Sequence, residues 1–88
     1  MYNKKYRLEK IEEFNKHNYT YDGVEGSICY PAYFNPGERG WFLFEDDWFG
    51  KSNKIHTSVI KSVDYIDDQI IVETNNTRLT FRLIQERL

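Results

Sequence analysis

Gly50-Lys51-Ser52 carries the sharpest chemical suggestion in this chain. Such a triplet closes a phosphate-binding loop when a first glycine stands five residues earlier and a helix follows, because amides at the helix N-terminus hold the phosphates. Here Glu45 stands where that glycine would be, and Glu45-Asp46-Asp47 would repel a triphosphate. The residues from Ile55 onward alternate like a strand. The expectation is a polar loop, not a nucleotide hydrolase. Glu45-Asp46-Asp47 and the group Asp64, Asp67 and Asp68 offer oxygens to a hard cation. Neither has the roughly six ordered oxygens, with a glycine at the sharp bend, that a calcium loop uses. Asp67-Asp68 reads better as a turn, since aspartate bonds its local backbone and tolerates positive φ. His56-Thr57-Ser58 places an imidazole and a hydroxyl on one strand face, with no acid fixed to orient the ring. A triad would also need an oxyanion hole. These residues suit a polar contact better than turnover, so no catalytic residue, metal or cofactor is expected.

Rings interleaved with a cation form a second constellation: Tyr30, Tyr33, Arg39, Trp41, Trp48 and Phe49. Such a mixture stacks bases and pairs phosphate, and it equally builds a protein-binding hot spot. Phe42 and Phe44 read as core, and Trp41 suits core and surface alike. Trp48-Phe49 is a bulky apolar pair in an acidic, glycine-ended loop. It either folds back to plug a barrel end or forms a contact tip. The candidate ligand- or partner-binding set is Arg39, Trp48, Phe49, His56 and Ser58. Trp48 and Phe49 would be the apolar anchors, and Arg39, His56 and Ser58 the oriented polar contacts. Arg78 and Arg82 share an outward face, which Glu73 opposite Arg78 makes a solvated face more than an anion site.

The elements that position these residues are mostly strands. Two tight hairpins occupy Val63 to Leu83. A two-residue turn at Asp67-Asp68 sets Tyr65 against Ile70 and Val63 against Val72. A second turn at Asn75-Asn76 sets Val72 against Leu79 and Ile70 against Phe81. Both turns independently put Ile70 and Val72 on one buried face, and a one-residue slip would expose the whole apolar row. Upstream, Ile55 to Tyr65 is a long strand with the inward row Ile55, Thr57, Val59, Lys61, Val63 and Tyr65. Lys61 breaks that row, which predicts a bulge or bend near Ile60 to Ser62, or a snorkelling lysine. Trp41 to Phe44 is another strand, followed by a polar loop from Glu45 to Lys54. Ser27 to Phe34 is a strand that Pro31 confines to an edge or a bulge. Tyr19 to Tyr21 alternates like a strand. Lys4 to Lys16 reads as a short helix, with Leu8, Ile11 and Phe14 at spacing three.

The expected fold is mainly β within an α+β class. It is one domain: a five-stranded, strongly bent antiparallel sheet or an SH3-like or OB-like barrel over 27–84, with the helix over one opening or face. At 88 residues a second core would not fit. Twelve basic against 14 acidic residues give a net charge of -2, too weak to steer the chain onto nucleic acid or an anionic membrane. The single cysteine, Cys29, lies in an apolar run and reads as a packed thiol in a reducing, cytoplasmic setting. The charged stretch Tyr2 to Lys16 predicts neither a signal peptide nor a membrane span.

Gly37-Glu38-Arg39-Gly40, His56-Thr57-Ser58-Val59 and Glu73-Thr74-Asn75-Asn76-Thr77 together resemble a pattern in short accessory proteins of Gram-positive phages and mobile elements. The likeness runs from about Ile28 to Leu83. The wealth of Asn, Lys, Ile and Tyr is similar to that of AT-rich genomes of such elements. The resemblance implies an accessory protein and transfers no site residue. The functional expectation is a small non-catalytic binding protein, of a phage-type counter-defence kind. It would sequester a nucleotide-like signal or occlude a host protein, and a nucleotide sponge would form a homo-oligomer. The alternative is a single-stranded nucleic-acid-binding barrel, which the aromatic residues support and the charge opposes.

Overall fold

The computed structural model describes residues 4–14, 21, 23–46 and 51–86. Six strands follow one another: β1 (Lys4–Glu13), β2 (Ile28–Tyr33), β3 (Arg39–Asp46), β4 (Lys51–Ile66), β5 (Gln69–Thr74) and β6 (Thr77–Glu86). Each pairs antiparallel with the next, and β6 returns to β1 to close a barrel. The strand order is sequential throughout, unlike the Greek key of an OB barrel. Six strands thus replace the five expected. No helix among the described residues is long and apolar enough to cross a membrane.

The two C-terminal hairpins have the expected register. Tyr65 faces Ile70, Val63 faces Val72, Val72 faces Leu79 and Ile70 faces Phe81. Ile70, Val72, Leu79 and Phe81 are all buried. At the first turn Asp67 has a φ of 54°, the left-handed conformation that aspartate tolerates. The second turn uses a side chain. The buried Thr74 hydroxyl accepts from the amides of Asn76 and Thr77, both at 3.1 Å.

The expected helix over Lys4–Lys16 is instead strand β1 up to Glu13. Its last two residues, Asn15 and Lys16, lie outside the described residues. A bulge produced the false helical period. Leu8 pairs with Phe81 and Lys10 with Thr80, so Glu9 is an extra residue and the inward phase slips by one. Tyr6, Leu8 and Ile11 therefore all turn toward the core, at spacings of two and then three. The covering role assigned to the helix falls to the β1–β2 connection. Its Tyr21 and Val24 are buried in the core. Glu25 receives the Ile11 amide at 2.8 Å and Gly26 donates to the Leu8 carbonyl at 2.7 Å, so this connection continues the bonding of β1 where the β2 ladder stops. Tyr21 belongs to no strand; Tyr19 and Thr20 lie outside the described residues.

The long strand bends where the lysine predicted it. Ile60 pairs with Thr74 and Ser62 with Glu73, leaving Lys61 as the bulge. A second irregularity separates Trp41↔His56 from Arg39↔Val59. The inward row is consequently Ile55, Thr57, Ile60 and Val63; Val59 and Tyr65 are exposed at 51% and 70%. Pro31 also meets its expectation, since the β2–β3 register shifts between Pro31 and Tyr33. The expected loop from Glu45 to Lys54 is shorter than read, because β3 continues to Asp46 and β4 starts at Lys51.

The barrel interior is filled by side chains. Phe81 lies 5.5 Å from Phe34 and 5.2 Å from Phe42, ring centre to ring centre, the latter edge-on at 75°. An eight-stranded barrel is only just wide enough to be filled by its own side chains, and six strands enclose less.

Candidate functional site

Strand alternation creates a face on β2, β3 and β4. On β3, Gly40 and Phe42 are buried and Phe44 packs on the core, so Trp41, Leu43 and Glu45 point outward. On β4, Thr57 and Ile55 are buried, which turns Lys54, His56 and Ser58 outward. The register then brings three rings into line. Tyr33 of β2 pairs with Trp41 of β3, and Trp41 pairs with His56 of β4. At about 4.8 Å per strand, this row crosses about 10 Å of sheet. A second row runs Tyr30, Leu43 and Lys54.

Local bonds set the orientation of these side chains. The Lys54 ammonium lies 4.3 Å from the centre of a Trp41 ring, a cation–π contact that positions both. The Tyr33 hydroxyl donates to Glu38 at 2.6 Å and accepts from Asn35 at 3.0 Å. That carboxylate pushes the Tyr33 phenol above its ordinary value. The Tyr30 hydroxyl donates to Glu45. Two carboxylates of the face are thus engaged by phenols. Arg39 lies at the margin, its Nε donating to the Thr57 carbonyl at 3.1 Å.

Beneath Arg39, chain crossing is close. Gly40 donates its amide to the buried Thr57 hydroxyl at 2.9 Å, and that hydroxyl donates to the Ser58 carbonyl at 2.7 Å. The bonds fix the local irregularity of β4 that carries Ser58 and Val59. Just before β3, Pro36-Gly37 makes a turn with Gly37 at a φ of 88°, closed by the Glu38 amide on the Asn35 carbonyl at 3.2 Å.

The structure gathers three of the five sequence-chosen residues. Arg39, His56 and Ser58 share the face, with His56 exposed and Ser58 half-buried. Trp48 and Phe49 lie outside the described residues. Trp41, open between core and surface in the sequence, stands half-exposed at the centre of the ring row. Tyr33 and Lys54 were missing from the candidate set. A period-two reading could have found them: with Phe42 and Phe44 inside, Trp41 must face out.

The other constellations resolve as structure. Lys51 and Ser52 begin a strand, so no helix N-terminus follows the glycine triplet. Asp68 accepts from Arg82 at 3.0 Å, and Arg82 also donates to Glu9 at 2.6 Å. Arg78 donates twice to Glu73, at 2.8 and 3.1 Å. These contacts hold both arginines charged and pull them onto neighbouring strands, as a solvated sheet face would. No group of three metal-ligating side chains stands together among the described residues. Comparison with known proteins gives no match to a family model, to a curated protein or to a solved structure.

Proposed function

We propose that this protein is a non-catalytic binding module that occupies a protein partner through the outer face of β2, β3 and β4. The row Tyr33–Trp41–His56, on a barrel whose interior is full, carries this reading. Trp, Tyr and Arg are the residues most enriched where binding energy concentrates. Their side chains here are held by Lys54, Glu38 and Thr57, which lowers the ordering cost of docking. The phage-type resemblance gives such a module a role: stoichiometric occlusion of a host defence protein in a reducing cytoplasm. A nucleotide sponge fits less well, because Phe34, Phe42 and Phe81 pack against one another where a ligand inside the barrel would sit.

The experiment is capture from host lysate by the immobilised protein, with Trp41→Ala as the parallel bait. A partner retained by the wild type and lost from a folded Trp41→Ala supports the face. Equal capture by both sinks it. Single-stranded nucleic acid is the second reading, favoured by three rings in line and by Arg39 and Lys54 beside them. Salt separates the two. Phosphate-driven binding collapses between about 50 and 200 mM salt, whereas an aromatic protein contact changes little.

A further inference from the structure

The edge of β4 is covered unevenly. β3 pairs with it from Lys51 to Val59. Then the Ile60 amide donates to the Glu38 carbonyl at 2.9 Å, and the Gly37 amide donates to the Ile60 carbonyl at 2.8 Å. Beyond Ile60, among the described residues, β4 is laddered to β5 alone. Ile66 and Gln69 flank the two-residue turn, with Asp64↔Ile71 following at period two. In an antiparallel hairpin those are the pairs that exchange bonds with each other. The amides and carbonyls of Val63 and Tyr65 therefore point the other way, toward the open edge. Three of the large apolar residues left exposed stand on this same strand: Val59 at 51%, Tyr65 at 70% and Ile66 at 50%.

We propose that this edge pairs antiparallel with the same edge of a second copy, about a two-fold axis through Val63. The choice of a second copy rests on self-complementarity. A two-fold axis that keeps the sheet faces aligned must pass through a residue. Centred on Asp64, it would set two carboxylates directly opposite each other. Centred on Ser62, the ladder is cut short, because Glu38 already holds Ile60. Centred on Val63, Ser62 faces Asp64 of the second copy, twice. A hydroxyl meets a carboxylate. Val63 faces itself and exchanges both main-chain bonds. The edge lies on the opposite half of β4 from Trp41 and His56, so dimerisation and the ring face are independent.

Sedimentation and amide exchange test this across about 10 μM to 1 mM, the range for a small interface. The expected result is a monomer–dimer equilibrium in which the Val63 and Tyr65 amides gain protection as concentration rises, while Asp64 is protected throughout. Val63→Pro removes an edge amide that β5 does not use and weakens dimerisation about tenfold or more. Trp41→Ala leaves dimerisation unchanged. A monomer at every concentration overturns the proposal. So does concentration-dependent protection at other amides, or an unchanged dimer in folded Val63→Pro. If Val63→Pro does not fold, exchange in the wild type decides alone.

Discussion

Gly40 is the position where one added carbon matters most. A Cβ there would lie 2.5 Å from the Tyr33 carbonyl oxygen, 2.7 Å from Ile60 Cδ1 and 2.9 Å from Phe34 Cδ1. The ring and the isoleucine could yield, but the carbonyl belongs to the neighbouring strand. Gly40→Ala should cost about 1–3 kcal/mol, as overpacking does, and lower the urea midpoint accordingly. Cys29 gives a pH prediction. Burial pushes its thiol from 9.0 up to about 12, against a smaller opposite effect of a main-chain contact with Leu8. The native state then keeps a proton that the unfolded chain gives up near pH 9. This contribution is whole below pH 9 and is lost as pH rises toward 12. Tyr21, raised by burial despite its bond to Thr77, acts in the same direction at higher pH. Unfolding midpoints should fall through this window, and a thiol reagent at pH 8 should modify Cys29 only when the chain opens. The buried thiol was legible from its apolar neighbours. The close approach at Gly40 was not, because it depends on a bulge in another strand.

At the scale of elements, the hairpins were readable and β1 was not. Two-residue turns fix register locally, so alternation on either side of Asp67-Asp68 and Asn75-Asn76 identified the pairs Tyr65/Ile70, Val63/Val72, Val72/Leu79 and Ile70/Phe81. β1 misled because Leu8 and Ile11 are three apart, and a β-bulge and a helical turn share that spacing. Its partner β6 is distant in sequence, so nothing local reveals that Glu9 is the extra residue. The same blindness assigned Val59 to the inside; Tyr65 keeps the face of Val63 but stands exposed near the end of β4. Lys61 was the exception, because a charge in an apolar row marks its own bulge. Phe81 tests the hairpin assignment: it is fully buried against Phe34 and Phe42, and Phe81→Ala should cost about 3–5 kcal/mol. Thr74→Val tests the second turn. It keeps the shape and removes the acceptor of the Asn76 and Thr77 amides, at about 1–3 kcal/mol by chemical denaturation.

Across the whole molecule, closure of the barrel separates a packed interior from the outer faces of the sheet. The β1–β6 ladder removes two sheet edges and encloses a space that Phe34, Phe42 and Phe81 fill. The two sides of its outer surface differ in character. The β5–β6–β1 side is a lattice of ion pairs: Arg78 with Glu73 and Glu12, Arg82 with Glu9 and Asp68. The β2–β3–β4 side carries rings. Part of that face was visible in the sequence, since Arg39, His56 and Ser58, grouped there for their chemistry, stand on it. Its centre was missed because Trp41 gains meaning only when Tyr33 and His56 arrive beside it from other strands. The most direct test is a pair of measurements on one variant. Trp41→Ala should unfold at nearly the wild-type urea concentration while losing the captured partner. A large drop in that midpoint, or a partner bound as tightly as before, would contradict the assignment of this face.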